Sequence, residues 1–108
     1  MTRKEFHPQA LKDIETAIQI NPDSAQIWNN RGEILAKLGK VDEAVDSFDK
    51  AIGLSPNYTH AIFGKARTLL NAGRKPECKA VCQQFLAVAM LNDPRRARIE
   101  QAIKLCDQ

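Results

Sequence analysis

Trp28-Asn-Asn-Arg-Gly32-Glu-Ile-Leu35-Ala-Lys-Leu-Gly39-Lys-Val-Asp-Glu-Ala44-Val-Asp-Ser-Phe48-Asp-Lys-Ala51-Ile-Gly-Leu-Ser-Pro56 is the stretch whose reading decides the fold. Apolar residues at Val41, Ala44, Val45, Phe48, Ala51 and Ile52 recur at gaps of one and three, which is the stripe of an α-helix rather than the alternation of a strand. Ile27, Trp28, Ile34, Leu35 and Leu38 draw a second stripe before it. Gly39 stands between the two, where a left-handed helix cap favours glycine. Pro56 follows the second, where its ring blocks continuation.

Moved by 34 positions, the chain falls on itself. Trp28 meets Ile62, Gly32 meets Ala66, Leu35 meets Leu69 and Gly39 meets Gly73. Backwards, Ala44, Phe48, Ala51 and Ile52 meet Ala10, Ile14, Ala17 and Ile18, and Pro56 meets Pro22. Forwards, Ala44 meets Cys78 and Phe48 meets Cys82. A last stripe is Ile99, Ala102, Ile103 and Cys106. Pro8, Pro76 and Pro94 suit first helical turns, whose N–H groups have no intrahelical partner, and Ser24 suits an N-cap. The pattern predicts helices at 8–20, 24–38, 41–53, 58–72, 76–91 and 94–106. The absence of alternating segments makes the chain all-α.

The spacing Trp28-x3-Gly32-x2-Leu35-x3-Gly39-x4-Ala44-x3-Phe48-x2-Ala51-x4-Pro56 resembles the tetratricopeptide repeat signature. The resemblance implies a right-handed helix-turn-helix solenoid occupying 1–108 as one domain. It would hold a leading half repeat at 8–22, a repeat at 25–58, a degenerate repeat at 59–91 and a capping helix at 94–106. Arg31 stands where most members carry an aliphatic side chain, and its stem is expected to cover apolar surface while the guanidinium reaches water. Phe85 and Met90 replace the alanine and proline of the signature, so the helix from Pro76 is expected to run past the usual stop.

Length and composition agree with one ordinary globular domain: 108 residues, 44% apolar and 27% charged. The longest apolar run, Phe85–Leu91, is far short of the ~20 residues of a membrane-spanning helix. No apolar stretch follows the basic residues near the start, so no secretory leader is read, and three cysteines make no disulfide framework. A cytoplasmic, reducing setting is expected. Charge is uneven. Residues 1–56 carry seven Lys/Arg against nine Asp/Glu, and residues 57–108 carry nine against four.

No motif of metal, phosphate or nucleophile chemistry is present, and no cofactor is expected. Neither His7 nor His60 sits in a partner network that the sequence reveals. Cys78 and Cys82, four apart, replace Ala44 and Phe48 of the preceding copy and read as core residues rather than metal or redox ligands. The Asn57-Tyr58-Thr59 acceptor pattern reads as a turn, with Asn57 capping the next helix. Arg95, Arg96, Arg98 and Lys104 read as the wet face of a capping helix. Without interleaved aromatics, nucleic acid is not the expected partner.

The resemblance implies a non-catalytic protein-interaction module that binds a peptide or protein surface along its concave side. On the first helix of each repeat, Gln26, Asn29, Asn30, Glu33 and Lys37, then His60, Phe63, Gly64, Arg67 and Asn71, are the groove positions it suggests. The carboxylate clamp of chaperone-binding members is not carried over, because only Asn30 falls on a clamp position and the basic third-repeat positions fall on His60 and Gly64. The alternative is a self-assembling subunit. Residues 1–7 are too few to supply a helix over the stripe at 8–20, so the edge at Leu11, Ile14 and Ile18 is expected to be covered, either because the chain is a piece of a longer protein or because a second copy pairs there as a homodimer.

Overall fold

The computed structural model describes residues 3–108, and their side chains from Gln9 onward. The described residues form six α-helices and no strand: α1 Arg3–Ile20, α2 Ala25–Lys37, α3 Val41–Leu54, α4 Thr59–Asn71, α5 Lys75–Val88 and α6 Arg95–Cys106. No helix among them is long and apolar enough to cross a membrane. The period of 34 is reproduced in the backbone, since α4 starts and ends 34 residues after α2, and α5 does the same after α3. Gly39 and Gly73 have φ of 79° and 77° and close identical turns. In each, the glycine N–H bonds back to Ala36 or Leu70, and the next residue's N–H bonds to Leu35 or Leu69. These paired bonds satisfy the last carbonyls of α2 and α4 and fold the chain into antiparallel hairpins.

The hairpins α2–α3 and α4–α5 stack, with α1 against α2 and α6 against α4 and α5. The first helices of the hairpins are neighbours, so α2, α4 and α6 line one face of a short solenoid. Between the hairpins the Phe48 ring is fully buried. A methyl group added at Gly32 of α2 or Gly64 of α4 would lie 2.8 Å from Phe48 Cε1. Both backbones therefore rest directly on the ring. In the next layer the sizes are exchanged: Cys82 takes the place of Phe48, and Phe85 takes the place of Ala51. Phe85 packs on Phe63 at 5.9 Å between ring centroids, where the first repeat has Asn29.

Several expectations are corrected. Helix α1 begins at Arg3, before Pro8, rather than at residue 8. Helix α5 ends at Val88 despite having no proline at position 90. Ala89 turns to extended backbone, and the Arg96 guanidinium donates to the carbonyls of Leu86 and Ala89 at 3.1 and 3.2 Å, which satisfies the helix end from outside. Ser24 caps α2 as expected, accepting from the Ile27 N–H at 3.3 Å. Asn57 does not cap α4, whose N-cap position is Tyr58, without a side-chain bond. The Arg31 guanidinium does not simply reach water, because it bonds Glu15 of α1 at 2.5 Å and Ser47 Oγ of α3 at 2.6 Å and so ties three helices together. Trp28 is half-buried, its Nε1 donating to the Pro22 carbonyl at 2.7 Å, while Asn29 beside it is the buried residue.

The close seat of Phe48 predicts the effect of a single methyl. Gly64→Ala gains about 1 kcal/mol of helix propensity. It also forces the ring to move in a packed layer, an overpacking cost of about 1–3 kcal/mol. We expect a net loss in urea denaturation, partly restored when Phe48→Leu is added. A midpoint equal to or above that of the parent would show that the ring yields freely.

Candidate functional site

The face lined by α2, α4 and α6 carries three adjoining cavities. The first, of about 530 Å³, lies between the C-terminal halves of α2 and α4, with Glu33, Ala36, Lys37, Thr68 and Asn71 on its walls. The second, of about 290 Å³, lies where the N-terminal half of α4 meets α6, with Glu33, His60, Gly64, Arg95 and Arg98 around it. The third, of about 150 Å³, has an apolar floor of Phe63, Ala66, Leu70, Ile99 and Ala102. Arg67 lines all three, and Phe63 and Arg98 line the last two.

A polar bridge holds α2 to α4 on this face. Glu33 Oε1 accepts from Asn29 Nδ2 at 3.0 Å and lies 3.0 Å from His60 Nε2. His60 is thus part of a network that the sequence did not reveal. Tyr58 stacks on it at 6.2 Å, and burial together with the nearby Glu33 charge pushes the Tyr58 hydroxyl above its ordinary pKa. Asn29 is 1% exposed, and its Oδ1 has no partner among the described residues.

Of the residues singled out from the sequence, Glu33, Lys37, His60, Phe63, Arg67 and Asn71 line these cavities. Asn29 lies behind them, buried against Glu33. Gln26 and Asn30 are exposed and line none of the three. Phe63 is half-buried, with Phe85 on one side and the guanidiniums of Arg67 and Arg95 at 6.0 and 5.8 Å from its centroid. Its Phe85 contact roots it in the core, and its rim forms cavity wall. On α1, Leu11, Ile14 and Ile18 are half-buried. His7 lies outside the residues whose side chains are described.

The basic residues of α6 do not form one solvated face. Arg96 serves the end of α5. Arg95 pairs with Asp93 at 2.7 Å, donates to Thr59 Oγ1 at 2.9 Å and lies 5.3 Å from the Phe85 centroid. Arg98 opens onto the cavities. One more step of 34 from Asn30 and Gly64 arrives at Arg98, and that was the available signal. Cys78 and Cys82 are fully buried, with the Cys78 thiol directed at the Ala66 carbonyl at 3.4 Å. Burial raises the pKa of both thiols, so they are neutral packing residues at physiological pH.

Residues 25–58 match the family model for the tetratricopeptide repeat. The mouse Superkiller complex protein 3 is 32% identical over 87 residues, 81% of this chain and 5% of that protein. The peroxisomal targeting signal receptor of Kluyveromyces lactis is 33% identical over 58 residues, 54% of this chain and 10% of that protein. The chain therefore spans no more than a tenth of these curated relatives. Among solved structures, the second-B tetratricopeptide domain of yeast Sti1, in complex with an Hsp70 peptide, superposes with a TM-score of 0.87 at 25% identity, covering 97% of this chain and 86% of that one.

The Asp93–Arg95 pair carries a pH signature. The Arg95 side chain, then its backbone N–H, bond the Asp93 carboxylate and bring its pKa down from 3.8 to about 2. A carboxyl group with a lowered folded-state pKa stabilises the fold above its unfolded value, and that contribution disappears as pH falls through the folded value. We expect the parent to melt above an Asp93→Asn variant at pH 6 and the two to converge near pH 2. A melting-temperature gap that is unchanged over this range would show that the pair adds nothing to stability.

Proposed function

On the premise that residues 25–58 form a tetratricopeptide repeat and that the chain has the tetratricopeptide fold throughout, we propose that it binds a peptide segment or protein surface along the face of α2, α4 and α6, without catalysis. The observation that carries this reading is the run of three cavities joined through Arg67 on that face. Groups that donate, accept and carry charge (Lys37, Asn71, His60 and Arg67) stand along a trough with an apolar floor at one end. That mixture suits the backbone and side chains of an extended segment. A Sti1 domain of similar fold is known in complex with an Hsp70 peptide, which supports the same kind of ligand here.

The test is a screen on a peptide array followed by backbone-amide NMR titration of the best binder. Shifts are expected to concentrate in α2, α4 and α6, and Lys37→Glu or Asn71→Ala to weaken binding by about threefold or more, the range of single polar contacts at a partly wet surface. Shifts confined to α3 and α5 would sink the reading.

A second reading, self-association through α1, draws on the half-buried state of Leu11, Ile14 and Ile18. Burying two such aliphatic side chains more fully is worth up to about 3–6 kcal/mol, at about 1.5–3 kcal/mol each for complete burial. Light scattering at micromolar concentration is expected to give a dimer mass that Ile14→Glu with Ile18→Glu reduces to a monomer. A monomeric parent whose melting temperature is indifferent to both charges would remove this reading.

A further inference from the structure

All three cysteines of the chain belong to one cluster, and none of them lines the cavities on the face of α2, α4 and α6. Cys78 and Cys82 of α5 are fully buried, with their sulfurs 3.8 Å apart. Cys106, in the last turn of α6, packs against the same cluster but keeps part of its surface in water. Its thiol is in hydrogen-bonding contact with Cys78, and that contact adds to burial in keeping the Cys78 thiol protonated. Two tethers fix the end of α6 on α5. Lys79 Nζ pairs with Asp107 at 2.6 Å, and Lys75 Nζ donates to the Gln108 carbonyl at 3.3 Å. Lys79 also lies close enough to Cys106 for the two charges to act on each other, so a cation stands near that sulfur.

Exposure and surroundings give the three thiols different parts. Reactive cysteines are partly exposed and lie near positive charge, and Cys106 meets both conditions. Cys78 is closed to solvent but touches Cys106. Cys82 is a poor partner for either. On one helix, residues four apart hold their Cβ atoms ~5–6 Å apart, whereas a disulfide needs about 3.5–4.5 Å. A bridge between Cys78 and Cys82 would therefore require α5 to unwind. Cys82 shares no hydrogen bond with Cys106. Among the described residues no group of three such side chains is arranged to hold a metal ion, and the chemistry that the contact between Cys78 and Cys106 favours is between sulfurs.

We propose that Cys106 and Cys78 form a reversible disulfide between α6 and α5 when the protein meets hydrogen peroxide. The Cys106 sulfur attacks the peroxide and keeps one oxygen as a sulfenic acid, while the O–O bond breaks and water leaves. The Cys78 sulfur then attacks the Cys106 sulfur. An S–S bond forms, the S–O bond breaks, and hydroxide departs with the Cys78 proton as a second water. The two thiols lose two electrons in all, and the peroxide gains them. In the reduced protein Cys78 is a neutral packing residue, and a protonated thiol attacks slowly in free solution. Here its target is already in contact, and such placement replaces an encounter. The bond fastens α6 by its last turn, and α6 is the helix whose Ile99 and Ala102 floor the smallest cavity.

The test treats the reduced protein with hydrogen peroxide, alkylates the remaining thiols after denaturation and digests with trypsin without reductant. Trypsin cuts after Lys79 and Lys104, so the three cysteines leave on separate peptides. The expected product, within one chain, is the Cys78 peptide linked to the Cys106 peptide, with Cys82 alkylated and dithiothreitol releasing the pair. The oxidised protein is expected to melt about 5 °C or more above the reduced one, because a closed loop restrains the unfolded chain. Cys106→Ser and Cys78→Ala are each expected to abolish the link and the rise, and Cys82→Ala to keep both. Melting curves of the reduced variants report that they are folded, and the peptide map of the parent needs no variant. A link from Cys106 to Cys82, or from Cys106 to Cys106 between copies, would overturn the proposal. So would sulfinic acid at Cys106 beside a free Cys78, or thiols that all stay reduced at a dose that fully oxidises free glutathione.

Discussion

Phe48 wedged between two glycines is the contact from which the rest of this molecule is set. Its ring is wholly buried, and the backbones of α2 and α4 meet it at Gly32 and Gly64, where a Cβ would stand 2.8 Å from the ring. Packed interiors transmit such distances rather than absorb them. With α2 and α4 drawn onto one ring, Glu33 and His60 come within 3.0 Å across the seam, and Gly64 becomes part of a cavity wall. The hairpin turns at Gly39 and Gly73 then return α3 and α5 to the far side. The groove is thus a consequence of a core contact made by a residue on the opposite helix.

The second repeat shows how the same backbone tolerates a different core. Where the first repeat has Asn29, Phe48 and Ala51, the second has Phe63, Cys82 and Phe85. Bulk has moved along α5 by three residues, about one turn, and α4 answers with a second aromatic ring. Cores tolerate such exchanges when total volume and patterning are kept. The exchange reshapes the face of α2, α4 and α6, because it brings a ring to the cavity wall and seats Arg95 against it at 5.8 Å. Helix α4, through Phe63, Ala66 and Leu70, therefore shares with α6 the apolar floor of the smallest cavity.

Arginines carry much of the remaining specification, each by a different means. Arg31 joins α1, α2 and α3 through Glu15 and Ser47. Arg96 closes α5 by donating to two carbonyls, in place of the proline stop. Arg95 braces the turn before α6 through Asp93 and Thr59. A planar group with five donors is suited to all three tasks, whereas a lysine in the same places would supply one point of contact.

Helix number, the hairpin turns and the order of the layers were legible in the sequence, because each depends on local rules. Apolar spacing defines a stripe, a glycine past the last turn supplies the left-handed cap, and the 34-residue period repeats both. That Glu33, Lys37, His60, Phe63, Arg67 and Asn71 share one face and line its cavities was legible for the same reason, since it follows from a helix turned about its buried side. What the sequence left open belongs to contacts between residues far apart in the chain. The end of α5 at Val88 depends on Arg96, ten residues beyond the Leu86 carbonyl it satisfies. The burial of Asn29 depends on a glutamate, and the place of that glutamate depends on a histidine 27 residues on. Arg98 reads as a solvated cation by composition and becomes a cavity-lining residue only when α6 is laid beside α4. Periodicity determines which side of a helix is dry. Which polar residues then meet across the seam between helices is decided by packing in three dimensions, and the seam here is set by one aromatic ring.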